Sequence, residues 1–147
     1  MTLVELIVAF TIMLILTGMA VPMARYKVRV RRERDLRHAL REMRTAIDKY
    51  KDICDQGYFG QPKADTHCWP ETLEILVEGQ KLNTPDGKKM KFLRVIPRDP
   101  FTGTTEWGLR SDQDEAASMT WGGENVFDVY SKTTERSRDG IPYSDWW

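Results

Sequence analysis

The chain has 147 residues, 41% of them hydrophobic and 30% charged, with 22 basic and 22 acidic side chains and a formal net charge of zero. That is one ordinary domain's worth of chain, with averages typical of a soluble globular protein. Two cysteines and two histidines, with no second C-x-x-C and no spaced histidine pair, do not complete a four-ligand zinc site. The balanced charge hides a steep asymmetry. Residues 1–24 hold one ionisable side chain, Glu5. Residues 25–44 hold Arg25, Lys27, Arg29, Arg31, Arg32, Arg34, Arg37, Arg41 and Arg44 against Glu33, Asp35 and Glu42, a net charge of +6. Residues 45–147 carry 13 bases and 18 acids, a net charge of −5. An apolar rod, a basic neck and an acidic head follow one another.

The rod, residues 6–24, reads LIVAFTIMLILTGMAVPMA. About 20 helical residues cross a hydrocarbon core of about 30 Å, so the run is long enough to span most of a bilayer. It lacks the basic region and small-residue cleavage site of a secretory signal peptide, and it continues into a charged helix. The positive-inside rule taken alone places the basic neck in the cytoplasm. Glu5, at the edge of the apolar run, calls for a partner. A neighbouring subunit's N-terminal amine in low dielectric is one reading, and a solvated acid at headgroup level is the other.

The segment Met1-Thr2-Leu3-Val4-Glu5-Leu6-Ile7-Val8-Ala9, followed by Gly18 and Pro22, resembles the mature N-terminus of type IV pilins and type II secretion pseudopilins, with Met1 where phenylalanine is usual. The resemblance implies that a prepilin peptidase cuts before Met1, N-methylates it, and leaves the chain starting at the cleavage site. It also implies that Met1, Glu5 and Pro22 serve assembly. Its topology puts the N-terminus in the cytoplasm and the head outside, against the positive-inside reading.

After Pro22 the helical pattern resumes. Leu36, Leu40, Met43, Ile47, Tyr50 and Cys54 form one apolar stripe at steps of four and three. A helix from residue 2 to about residue 54, roughly 80 Å long, is expected, kinked or loosened at Pro22 and freer at Gly18. Cys54 and Cys68 enclose a turn-rich loop with Gly57, Gly60 and Pro62, which suits a disulfide in an oxidising compartment. In the loop-entropy model such a bridge contributes roughly 3 kcal/mol. Two unpaired buried thiols are the alternative.

The run 70–79, with Pro70 at its start and Gly79 at its end, predicts a short helix. Three β-rich runs, 91–96, 105–109 and 125–131, predict an antiparallel meander packed on the apolar stripe. A turn at 97–103 separates the first two. Residues 111–124 read as a long loop, and the terminal aromatics Tyr143, Trp146 and Trp147 as a clamp of loop onto core. The expected fold is α+β, type IV pilin-like: a long N-terminal helix on a small three-stranded antiparallel sheet. Its parts are a membrane or filament-core half (1–24), an amphipathic half (25–54) and a globular head (55–147).

The head narrows the resemblance. Trp69-Pro70, Pro97-Arg98-Asp99-Pro100-Phe101, Phe127-Asp128-Val129-Tyr130-Ser131, Asp139-Gly140 and Asp145-Trp146 are similar to motifs of major pseudopilins. In that subfamily the loop after the last strand often binds calcium. The oxygen donors placed to do so here are Asp128, Ser131, Glu135, Asp139 and Asp145. Lys132, Arg136 and Arg138 in the same stretch would repel the ion, and a loop held by salt bridges competes with a calcium site. Ser111-Asp112-Gln113-Asp114-Glu115 is a second acidic stretch, read as a solvated loop.

No nucleophile elbow, phosphate-binding glycine loop or paired-carboxylate cleft points to an enzyme. The resemblance implies the major subunit of a type II secretion pseudopilus, a helical homopolymer that helps export folded proteins. The alternative is a surface type IV pilin for adhesion, motility or DNA uptake. The implied partners are further copies of the chain, minor pseudopilins, the inner-membrane assembly machinery, prepilin peptidase and, before assembly, inner-membrane lipid. Single-pass residence in a bacterial inner membrane with a periplasmic head follows, then a periplasmic or extracellular filament. The neck's cations would attract phosphate of any kind, but nucleic acid is not an expected partner. Pairing of the +6 neck with the −5 head of another copy is a further expectation.

Overall fold

The computed structural model describes residues 2–146. Helix α1 runs unbroken over Leu3–Asp55, with Pro22 inside it. The missing N–H at Pro22 removes one rung of the ladder, but the helix continues through that position. Two compact units divide the chain, Met1–Asp35 and Leu36–Trp147. The division falls where Leu36 becomes the first buried side chain of α1. In the first unit the side chains of 2–28 are exposed. Its helix is long and apolar enough to cross a membrane, and none of the apolar stretch is buried.

In the second unit α1 contributes Leu36, Ala39, Leu40, Met43, Ala46, Ile47 and Tyr50 to the core, which is the expected stripe widened by two alanines. Against it pack Leu73 and Leu76 of α2 (Leu73–Glu78), Leu93, Trp107, Val126, Val129 and Tyr143. Helix α2 starts later than expected, with extended Thr72 as its N-cap. It ends where Gly79, at φ 87°, donates its N–H to the Ile75 carbonyl at 2.9 Å. Only glycine adopts that conformation without strain.

The three-stranded meander is replaced by two two-stranded antiparallel sheets. Strands β1 (Gln80–Lys81) and β2 (Lys89–Met90) form a small hairpin. Strands β3 (Gly108–Arg110) and β4 (Asp128–Tyr130) pair Gly108 with Tyr130, Leu109 with Val129 and Arg110 with Asp128. The run 91–96 does not become a strand, because its backbone bonds elsewhere. The N–H groups of Phe92 and Leu93 both donate to the Leu76 carbonyl at the end of α2, each at 2.9 Å. Phe92 sets its ring 5.3 Å from that of Tyr50, so this segment serves as a plug between helices.

Cys54 and Cys68 are bonded, with Cα atoms 5.5 Å apart. The bridge ties the end of α1 to a loop whose His67 and Cys68 have left-handed backbone, at φ 49° and 67°. The C-terminal aromatics clamp as expected. Buried Tyr143 stacks on Phe101 at 4.2 Å, and Trp146 meets Tyr143 edge-on at 4.8 Å. Trp147 lies outside the described residues.

At Gly108 the absence of a side chain makes room for the ring of Tyr130 across the ladder. A Cβ there would lie 2.2 Å from that ring, which also carries the Arg110 guanidinium at 4.3 Å. Gly108→Ala should therefore destabilise the fold by about 1–3 kcal/mol, the usual cost of overpacking. Chemical denaturation of the disulfide-intact chain checks this, and an unchanged midpoint would contradict it.

Candidate functional site

Of the residues expected to serve assembly, Glu5 lies in the first turn of α1 and Pro22 lies well inside the helix. Thr2 is its cap. The Thr2 carbonyl accepts the N–H groups of Glu5 and Leu6 at 3.1 and 3.2 Å, and Thr2 Oγ1 accepts Glu5 N–H at 3.4 Å. Thr2-x-x-Glu5 is thus half of a capping box, a signal visible in the sequence beside the assembly motif. A carboxylate in the first turn also faces the positive end of the helix dipole. Glu5 is exposed, and none of the ion pairs formed among the described residues includes it. Met1, expected to be processed and methylated, lies outside the described residues. The hydroxyls of Thr11 and Thr17 donate to the carbonyls of Ile7 and Met13, both at 2.7 Å. Each threonine hydroxyl inside the apolar run is thus satisfied by its own helix.

The nine cations of the neck do not act as one block. Six of them, Arg25 to Arg34, belong to the first unit, where Arg29 faces Glu33 at 3.8 Å. Arg37, Arg41 and Arg44 belong to the second. Arg37 lies over the Trp146 ring at 4.4 Å. Arg44 is a structural bolt. Its Nε donates to Asp128 Oδ1 at 2.6 Å, and Nη2 donates to the carbonyls of Val129 at 3.2 Å and Trp146 at 3.1 Å. It joins α1, β4 and the C-terminal turn. No sequence pattern pairs residue 44 with residue 128, so this bolt was illegible before the fold was known.

The expected calcium ligands are not brought together. Asp128 is engaged by Arg44 and has Arg110 at 3.8 Å. Ser131 Oγ donates to the buried Asp99 carboxylate, which also accepts Phe101 N–H at 2.8 Å. That Asp99 anchor holds the turn at 97–104 against β4. An aspartate between two prolines is a turn signal, but nothing in the sequence marked it as buried. Glu135 lends its backbone carbonyl to Tyr143. Asp139 sits in a turn closed by Ser137 N–H donating to the Ile141 carbonyl at 2.8 Å, and Arg136 Nη1 donates into the same turn, to the Gly140 carbonyl at 3.2 Å. Asp145 lies on the short 3-10 turn Tyr143–Asp145. Among the described residues no three His, Cys, Asp or Glu side chains gather as a metal-holding group. The donor set, with two arginines on its first carboxylate, does not fit calcium.

The head's acids instead form two other groupings. Burial pushes the Asp48 carboxyl above its ordinary range. The charges of Asp52 and Asp128 push it the same way, and Arg44 opposes them. Asp112 is pushed up by burial, but hydrogen bonds from Asn125, His67 and Ser111 outweigh that, and its carboxyl lies below the ordinary value. His67 Nδ1 meets Asp112 Oδ2 at 2.7 Å, and Asn125 Nδ2 donates to Asp112 Oδ1 at 2.8 Å. This cluster ties Asp112, in the 111–115 stretch that was expected to be a solvated loop, to His67 and Asn125. The Asp48 group, by contrast, sets two further carboxylates, Asp52 and Asp128, against the opposing charge of Arg44.

No family model, curated protein or solved structure matches the chain, so the resemblance rests on the motif residues themselves.

Titration of the detergent-solubilised chain with Ca²⁺ is expected to give no binding heat and no thermal shift. A stoichiometric heat that Asp139→Asn abolishes would restore the calcium site. For Asp48, a raised acid favours the folded state below the unfolded carboxylate range, about pH 4. That advantage is lost as pH rises through its higher folded value. Asp48→Asn should thus stabilise the chain at neutral pH, by about 0.5 kcal/mol at most after solvent screening. The gain should vanish below about pH 4, where both side chains are neutral. A gain independent of pH would contradict this.

Proposed function

We propose that the chain is a filament subunit of the type IV pilin-like class, and within it the major pseudopilin of a type II secretion system. One observation carries the reading. A capped helix with a carboxylate in its first turn presents an apolar run that nothing in its unit buries, then becomes the core helix of an α+β head. Leu14, Met19 and Met13 are 71%, 70% and 68% exposed. An apolar surface of that extent does not persist in water, so it is covered either by lipid or by other copies. A filament subunit uses both in turn, lipid before assembly and neighbouring helices afterwards.

In this reading the helix sits in the inner membrane with its N-terminus cytoplasmic, and prepilin peptidase matures Met1. The disulfide supports an oxidising, periplasmic setting for the head. The inner-membrane assembly machinery and minor pseudopilins receive the subunit, and the helices stack with Glu5 set against the next subunit's terminal amine. The Thr2 cap supports that role, since it fixes where Glu5 projects from the helix. Charge complementarity between the basic neck and the Asp48–Asp52 region of another copy adds to the packing.

Glu5→Ala should keep membrane insertion and head stability, because the side chain touches neither. Filament yield should fall more than about tenfold, the scale of losing one partner of a desolvated charge pair. Electron microscopy of cells with the secretion system reads the yield. Mass spectrometry of the mature terminus should find N-methylated Met1. In the same assay, joint charge reversal at Arg31, Arg32 and Arg34 should lower the yield most at low salt. Undiminished filaments from Glu5→Ala would overturn the assembly role of Glu5. Long surface fibres instead of short periplasmic ones would assign the chain to a surface pilus.

A further inference from the structure

Six cations and one acid occupy residues 25–34, directly after a run with no charge from residue 6 to residue 24. At about 100° per residue, they fall into two stripes on opposite sides of α1. Arg25, Arg29 and Arg32 make one stripe, and Lys27, Arg31 and Arg34 the other. Five of the six residues are exposed and Arg29 is partly so. Between the stripes lie Tyr26 and Val28, 50% and 53% exposed. The segment is therefore a collar with cations on two opposite sides and an aromatic at its apolar end.

We infer that this collar binds anionic phospholipid headgroups and so sets the depth of α1 in the bilayer. Three features favour lipid over a protein surface. A docking protein approaches a helix from one side and needs one stripe, whereas a lipid shell surrounds the helix and uses both. The collar's ten residues rise about 15 Å, so its first turns fall in the headgroup layer and its last within a Debye length of it. Arginine and lysine stems also lie along the apolar boundary while their charges reach phosphate. Tyr26, with an apolar ring and a polar tip, suits the same layer. The inference rests on the membrane-insertion part of the reading above and not on filament formation.

The native cysteines are bonded to each other, so Val28→Cys supplies one free thiol for a fluorescent label on the full chain. The labelled chain is placed in phosphatidylcholine vesicles holding a minor fraction of nitroxide-labelled lipid, either phosphatidylglycerol or phosphatidylcholine. At low salt the acidic lipid should quench Val28 about fivefold more per molecule than the zwitterionic one. At about 1 M salt, where the Debye length is about 3 Å, the preference should disappear. Glutamine at 25, 29 and 32, or at 27, 31 and 34, should each remove about half of it, and all six together should remove it entirely. A label at Leu14→Cys, quenched alike by both lipids, verifies insertion. Equal quenching at Val28 by the two lipids, with Leu14 quenched, would overturn the inference alone. So would a preference lost completely through one stripe, which would mark a one-sided protein face such as another copy's acidic head. No quenching at Leu14 by either lipid would overturn insertion as well.

Discussion

One helix carries two kinds of surface, and the chain divides into two units where they change. Up to Val28 every described side chain of α1 faces outward. From Leu36 the same helix carries a buried stripe that ends at Cys54. The backbone ladder is indifferent to this change, since helical hydrogen bonds are internal and serve in lipid, in protein and in water. The side chains are not indifferent. A run as apolar as residues 6–24 is long and apolar enough to cross a membrane, and the cations that follow mark its end.

The head shows how little sheet is needed when a long helix provides one wall of the core. The four strands among the described residues are two or three residues long, too short to hold a fold by ladder bonds alone. Cohesion comes from burial on the Leu36–Tyr50 face and from two polar anchors. Arg44 joins α1 to Asp128, and Asp99 joins its turn to Ser131. Both acids are buried, and each has its charge met by a guanidinium or by hydrogen-bond donors. A buried ion pair adds little net stability over a well-packed apolar pair. What the two anchors contribute is a unique arrangement: they require β4, the 97–104 turn and the C-terminal turn to sit in one register on the helix.

Features that depend on near neighbours in the chain were legible in the sequence. The four-three spacing of Leu36 to Cys54 gave the helix and its buried face, and the turn-rich loop between the cysteines suggested their bond. The short helix closed by Gly79 and the aromatic clamp of Tyr143 and Trp146 were also visible. Features that depend on competition between distant backbone groups were not. Residues 91–96 have strand composition, yet the carbonyl of Leu76 takes two of their N–H groups. The hairpin of β1 and β2 went unseen although Pro85-Asp86-Gly87 between them is a turn signal, because strands of two residues have no periodicity to detect. The division of the nine cations was hidden for the same reason. Arg44 and Arg31 are equivalent letters until the fold places Asp128 beside one of them.

In the proposed filament, Glu5 would serve the chain and its assembly together. Bringing a carboxylate into low dielectric costs several kcal/mol unless something offsets its charge. Within the chain, the capped first turn of α1 begins that offset: Thr2 fixes the turn, and the helix dipole presents its positive end to the acid. The offset is partial, on the order of 0.3–1 kcal/mol, which is too small for an isolated subunit to bury the group. The remainder has to come from a second charge, and the ion pairs formed among the described residues do not supply one. In the proposed assembly that second charge would be a neighbouring subunit's terminal amine. In the filament proposed above, that pairing would give the apolar helices a register, which apolar contact alone does not have, because hydrophobic attraction is nondirectional.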